Sequence, residues 1–432
     1  MEKLIRVPFG DGWAEALPPA GATVRVLEPA VLPSLPEDAV MTRALRTAGL
    51  GNSWPLRSPT QSRPLTIVLN DATRPTPSGR ILAHLVMMGL LPERPALGAV
   101  RVLIATGSHR PGGAEDVRHI LHGLPDSRWP HLVEWHDAQL NSAHVEVGTT
   151  SRGTPVHIDR RVLDSGSLLL VNSVEPHYFA GYTGGRKSLM PGLAGFDTIE
   201  ANHCLALQPA ADVLCLTGNP MHEDAEEAIS LLPLPDLLSL QVVLDQHQHI
   251  AFLAAGPLHA TFEAAVAEAD RRYVASLPEA ADIVVSAAAP PMDYDLYQSQ
   301  KAVDNAARAI RDGGTLILVS SCRHGIGDPR YFDLLASSAT PAEAQRRIAD
   351  HYLLGYHKAN RLAAAAARIN IFSVTHLPDE TARAAFFTPF ADLQTALQEA
   401  VARSGSASGL RIAVLPDGCV TVPRVEQTGR DL

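Results

Sequence analysis

No run of about 18 consecutive apolar residues occurs in the 432-residue chain, so no segment is expected to span a membrane. Its first ten residues, M-E-K-L-I-R-V-P-F-G, mix charges with apolar residues and then meet a proline, so the apolar centre of a secretory signal is missing. Cysteine is scarce: Cys204, Cys215, Cys322 and Cys419 lie far apart and form no C-x-x-C pair, which argues against a thiolate zinc site and a disulfide scaffold. A reducing cytoplasm is the expected setting. Basic residues are outnumbered, 36 against 46 acidic, and the net charge is −10. Without a basic excess to neutralise phosphates, nucleic acid is not an expected partner. No G-x-G-x-x-G follows an expected strand, which leaves a conventional nicotinamide dinucleotide site without support, and the absence of G-x-S-x-G and H-E-x-x-H disfavours serine and zinc hydrolases.

What is present reads as a globular α/β protein. At about 100 to 200 residues per domain, the length predicts two substantial domains. Leu65–Leu69 (L-T-I-V-L) is a short β-branched run followed by the polar loop Asn70–Pro75 and a helical stretch, Ser78–Leu90. The order repeats with a strand Val100–Ala105, the loop Thr106–Pro111 and a helix Ala114–His122, and again with the strand Leu168–Val171 and the loop after it. Strand, loop and helix in repetition mean parallel sheets, whose ligands sit beyond the carboxyl ends of the strands. A second series begins with the strand Ala281–Ala287, then a helix reaching Ile310, Gly313-Gly314, the strand Thr315–Ser320, helices Pro341–Leu354 and Lys358–Ile369, and the strand Ile371–Val374. The boundary is placed near residue 275. Residues 1–275 then form an N-terminal α/β domain with the site loops, 276–410 a C-terminal α/β domain closing an active-site cleft between the two, and a terminal strand in 411–432 crosses back to the first domain.

Reactive residues concentrate in Glu175–His203, which holds two histidines, a lysine, an arginine and several glycines. Its G-Y-T-G-G-R-K-S fails as a P-loop, because Arg186 stands where glycine must precede the lysine. The segment is read either as a site for a single phosphate, held by glycine amides, Arg186 and Ser188, or as a glycine-rich turn with a solvated Arg-Lys pair. His109 and His177 each follow an expected strand end, where two histidines facing one pocket suit proton transfer on both sides of a substrate. Each taken alone also reads as a structural histidine. Asp71 is read as a helix cap or a ribose ligand, and Arg74 as a bidentate partner for a carboxylate or phosphate. Gln298 and Lys301, three apart, share one face of a helix opening at Tyr297.

Taken together, D-A-T-R-P-T-P-S, A-T-G-S-H-R-P, E-P-H-Y-F-A-G-Y-T-G-G-R-K-S-L-M-P-G, A-N-H, T-G-N-P-M-H and Y-Q-S-Q-K resemble the nickel-dependent lactate racemase family, in the family's order, from about residue 68 to residue 301. The resemblance implies two α/β domains with the active site between them, and a nickel-pincer nucleotide installed with the help of cofactor-synthesis proteins. It implies Lys187 as the cofactor's covalent anchor, with Asp71, Thr73, Arg74, Gly184, Gly185 and Ser188 around the cofactor, and His203 as the nickel ligand. His109 and His177 become the paired acid/base residues, and Arg74, Tyr297, Gln298 and Lys301 the substrate contacts. The implied reaction is racemisation or epimerisation of a small 2-hydroxy acid through hydride abstraction and return by way of a 2-keto acid. Two other readings stand beside it, a sugar-acid 2-epimerase on the same cofactor and a non-catalytic nickel-nucleotide binder.

The chain departs from the lactate enzymes at Gly355-Tyr356-His357-Lys358, where a tryptophan and a glutamine are expected, and at Ser108, where a bulkier aromatic is expected. These departures point to a pocket for a longer or more polar acid such as malate.

Overall fold

The structure, a computed structural model, describes residues 4–50, 60–124, 128–405 and 409–426. The chain forms two compact units, one of residues 31–272 and one that joins residues 1–30 to 273–432.

The unit of residues 31–272 is built on a six-stranded sheet in the order Ile250–Gly256, Asp236–Leu244, Ser167–Ser173, Leu65–Asn70, Val100–Ala105, Val133–Trp135. All neighbours run parallel except the antiparallel edge strand Ile250–Gly256. Both faces of the central strands are covered, which explains why Leu65–Asn70 and Ser167–Ser173 read as near-continuous apolar runs and not as alternating ones. Ile67, Leu69, Ile81, Leu82, Leu85, Val102 and Val171 make up much of this core, each 1% exposed or less. From Leu65–Asn70 the chain winds outward through Val100–Ala105 to Val133–Trp135, then returns to place Ser167–Ser173 on the other side of the first strand. The winding direction therefore reverses between Leu65–Asn70 and Ser167–Ser173, and the reversal opens a crevice at their carboxyl ends.

The other unit repeats the plan. Its parallel sheet has the order Thr388–Pro389, Asn370–Val374, Ile310–Val319, Ala281–Ala287, Arg411–Leu415, Thr23–Val26. An N-terminal hairpin, Ile5–Phe9 with Gly12–Ala16, packs Ile5, Val7 and Ala16 into the same core as Ile283, Val285 and Phe372. Three expectations need correction here. The terminal strand Arg411–Leu415 does not cross to the sheet of residues 31–272. It pairs in register with Ile283–Ser286, where its apolar side chains Ile412–Leu415 are buried. Residues 1–30 likewise belong with this unit. The helix expected to reach Ile310 spans Leu296–Ala306, and Gly313 and Gly314 lie inside the strand Ile310–Val319, beside a register irregularity that glycine tolerates. Among the described residues, no helix is long and apolar enough to cross a membrane.

Candidate active site

The crevice at the strand reversal is a pocket lined by Asn70, Asp71 and Arg74 from the first loop, Thr106, Gly107 and His109 from the second, and Ser173, Thr183, Gly184, Lys187, Pro191 and Gly192 from the third. Three loops distant in sequence thus converge on one rim, as the parallel arrangement requires. They are also tied together, since the Gly107 N–H donates to the Gly192 carbonyl at 3.0 Å and Thr76 Oγ1 bonds Ser173 Oγ at 2.9 Å.

In the first loop, Asp71 does not cap the following helix, whose first residue is Ser78 and which has no side-chain cap. Its Oδ2 lies 2.6 Å from His109 Nδ1, and its Oδ1 accepts from Thr73 Oγ1 at 2.6 Å and from the Thr73 N–H at 3.2 Å. Burial alone would raise the Asp71 carboxyl, but the hydrogen bonds from His109 and Thr73 and the charges of His109 and Arg74 hold it below its ordinary value.

The third loop turns back through a two-residue ladder, Pro176–His177 against Gly181–Tyr182. Gly181 has φ 75°, and a Cβ there would stand 2.2 Å from the Cys215 carbonyl oxygen, so only glycine fits. At Gly184 a Cβ would meet Val174 at 2.5 Å and Gln241 at 2.7 Å. Gly184 lines the pocket, but Gly185 and Ser188 do not. The Gly185 N–H donates to Gln241 Oε1 at 2.9 Å, and the Ser188 hydroxyl donates to Asn172 Oδ1 at 2.5 Å. Both fix the turn from behind. Arg186 is turned inward too, with 1% exposure, its Nη2 donating to the Ala180 carbonyl and its guanidinium 5.5 Å from the Phe262 ring, and it is not among the residues that line the pocket.

Lys187 reaches the pocket. Burial draws its amine well below the ordinary lysine value, the charges of Arg74 and Arg186 push it further, and Glu175 opposes them. His203 lies near the end of the helix Phe196–Cys204, where its Nδ1 bonds the Ile199 carbonyl at 2.9 Å. A carbonyl only accepts, so the proton sits on Nδ1 and Nε2 keeps a lone pair. Burial and then the charge of Lys187 push His203 down to about 3, so the ring stays neutral. A neutral imidazole with its second nitrogen anchored to a carbonyl is the donor chemistry of a metal ligand. Among the described residues, no cluster of three or more His, Cys, Asp or Glu side chains could bind a bare metal ion. A metal that arrives already held by its own organic ligand needs only one such imidazole. His203, the amine of Lys187 and the glycine-lined turn fit a group of that kind.

Sequence reading missed the residue at the centre of this arrangement. The ring of Phe179, 3% exposed, meets His177 edge-on at 4.5 Å and His203 at 5.5 Å, with Lys187 Nζ 5.8 Å from its centroid. Asn219 holds the backbone of Phe179 through an Nδ2 bond to its carbonyl at 2.9 Å, while its own Oδ1 caps the helix Pro220–Ser230. The signal available was Asn219-Pro220, a helix start. Nothing in the sequence tied it to Phe179. Of the other expected site residues, Tyr297, Gln298 and Lys301 lie on the helix Leu296–Ala306 of the second unit, with the Asp295 carboxylate accepting the Gln298 N–H at 2.8 Å.

The chain as a whole is similar to known proteins. Family models for the lactate racemase N-terminal and C-terminal domains match residues 9–213 and 277–422. The chain is 29% identical to the lactate racemase of Thermoanaerobacterium thermosaccharolyticum over 369 residues, 83% of this chain and 84% of that one. It is also 29% identical to the lactate racemase of Lactiplantibacillus plantarum over 363 residues, 82% and 83% of the two chains. The solved lactate racemase apoprotein from T. thermosaccharolyticum is similar over 98% of this chain and 100% of its own, with a TM-score of 0.82 at 26% identity. A Thermotoga maritima protein of known crystal structure, 14% identical with a TM-score of 0.66, covers 91% of this chain and 99% of its own and shares the fold.

Proposed function

Since the chain belongs to the lactate racemase family and is an isomerase of the racemase type, we propose that it interconverts the stereoisomers of a small 2-hydroxy acid, lactate-like or malate-like, with a nickel-pincer nucleotide loaded by cofactor-synthesis proteins. The observation that carries this reading is the convergence of Arg74, His109 and Lys187 on one pocket at the strand reversal, with His177 and His203 packed against Phe179. Lys187, through its amine, and His203, through Nε2, would hold the cofactor, with the backbone at Gly184 beside it. When bound, such a group takes up a hydride from a carbon and gives it back.

The chain's own residues do the rest. The guanidinium of Arg74 binds the substrate carboxylate and so fixes which carbon is presented. His109 takes the hydroxyl proton of one stereoisomer, the carbon becomes trigonal, and His177 serves the hydroxyl of the other stereoisomer. Phe179, 3% exposed and packed against His177 and His203, keeps water from that side of the site. Ser108, exposed beside His109, leaves room for a polar extension such as a second carboxylate. The test is turnover of the separate enantiomers of lactate and malate by protein made together with the cofactor pathway, read by chiral chromatography. His109→Ala and His177→Ala are each expected to lose at least ~100-fold in kcat, from the magnitude of general acid/base catalysis, while retaining nickel. Near-native turnover by either variant would contradict the two-base reading, and turnover of D-lactate much faster than of D-malate would remove the malate-like one.

A further inference from the structure

His109 and His177 are held by opposite kinds of partner. Asp71 Oδ2 sits 2.6 Å from His109 Nδ1, and an ionised carboxylate only accepts, so in the neutral ring the proton lies on Nδ1 and the opposite nitrogen keeps its lone pair. His177 Nδ1 instead accepts the backbone N–H of Ala180 at 3.3 Å, which puts the proton of the neutral ring on Nε2. Asp71 is itself fixed, because Thr73 occupies its other oxygen through both hydroxyl and amide. The Asp71 side chain is 9% exposed and that of His109 48%, so the carboxylate stands behind a ring that is open to the pocket.

We propose that Asp71 is the positioning residue of His109: it selects the Nδ1–H tautomer, so that Nε2 meets the substrate as a proton acceptor, and Thr73 sets the carboxylate for that task. The inference rests on the acid/base role proposed for His109. In the step concerned, the O–H bond of the substrate hydroxyl breaks, the proton passes to His109 Nε2, and the electron pair stays on oxygen. Asp71 remains ionised throughout and steadies the imidazolium so formed. The charge and hydrogen bonds that hold its carboxyl below the ordinary value support that constancy. A consequence is that the two histidines are not equivalent in the resting protein. One meets the pocket as an acceptor, while the neutral ring of the other carries its proton on Nε2.

Long-range proton–nitrogen correlation spectra of the histidine rings test this on the full chain without nickel or cofactor. The neutral His109 ring is expected as the Nδ1–H tautomer in the native protein. Asp71→Asn, which can present an amide donor to Nδ1, is expected to shift it to Nε2–H and to leave His177 as Nε2–H. In loaded protein, Asp71→Asn is expected to keep its nickel content and a KM within about twofold, and to lose kcat by on the order of 10² to 10⁴. Thr73→Val, which removes only the hydroxyl bond, should fall between the two. An unchanged tautomer in Asp71→Asn, or an unchanged kcat, overturns the proposal. So does loss of nickel with unchanged turnover per nickel, which would make Asp71 a cofactor contact. If the tautomer shifts as expected but His109→Ala retains turnover, the positioning stands and the acid/base reading of His109 falls.

Discussion

One asparagine supports the site from outside it. Asn219 uses its carbonyl oxygen to cap a helix, through Met221 N–H at 3.1 Å and His222 N–H at 3.2 Å, and its amide to hold the carbonyls of Phe179 and Cys215. Asn219→Ala therefore loses a cap, worth about 1 kcal/mol, and leaves the Phe179 carbonyl buried without that partner, at a further cost of about 1 to 3 kcal/mol. Asn219→Asp keeps the cap but turns a carboxylate oxygen, which cannot donate, toward the two carbonyls, so it should also be less stable than the native protein. Urea unfolding midpoints of the cofactor-free proteins measure both, and a native midpoint for Asn219→Asp would show that the amide bonds carry no weight. At this scale the sequence was informative about reactive residues and silent about their supports. His109, Lys187 and Arg74 announce themselves by chemistry and by position after a strand. Phe179 and Gln241 act through contacts between residues remote in sequence, and no local pattern records those.

Elements were legible where burial dictates composition. Leu65–Asn70, Val100–Ala105 and Ala281–Ala287 are short runs bounded by polar loops, and the structure keeps them within a residue of where their composition places them. Partnership between strands was not legible, since Arg411–Leu415 carries a sequence that would suit either sheet. Its place is set by the helix Leu393–Arg403, which packs Leu393, Ala396, Leu397 and Ala400 into the same core as Ile412 and Val414 and brings the chain to the side of Ala281–Ala287. A chain ending at residue 405 would expose the edges of both Ala281–Ala287 and Thr23–Val26. Limited proteolysis of that truncated chain should cut freely between 273 and 403 and spare a fragment of about residues 31–272. Equal resistance of the two regions would mean that the strand is dispensable.

For the whole molecule, buried neutral histidines make stability depend on pH. Burial, then the charges of Arg186 and His259, push His222 down to about 3, and burial, with His136 second, lowers His144. An unfolded chain binds these protons near pH 6.5, so the unfolded state gains protons first as the solution is acidified. The contribution is full above about pH 6.5 and is lost progressively as pH falls toward 3. The melting temperature of the cofactor-free protein is expected to decline from pH 7 to pH 4.5, less steeply in His222→Gln; a flat or rising profile would contradict this. The discontinuous makeup of the second unit also bears on how the protein is made. Thr23–Val26 has no strand partner until Arg411–Leu415 exists, almost a full chain length later. At about 5 to 20 residues per second, that interval lasts tens of seconds. Residues 31–272 can close their own sheet meanwhile, whereas the apolar hairpin side chains Ile5 and Val7 wait for a core that has yet to be synthesised. Residues 5–26 are thus synthesised long before the strand that completes their sheet, and a chaperone that shields them as they emerge would act on them for longer than on residues 31–272.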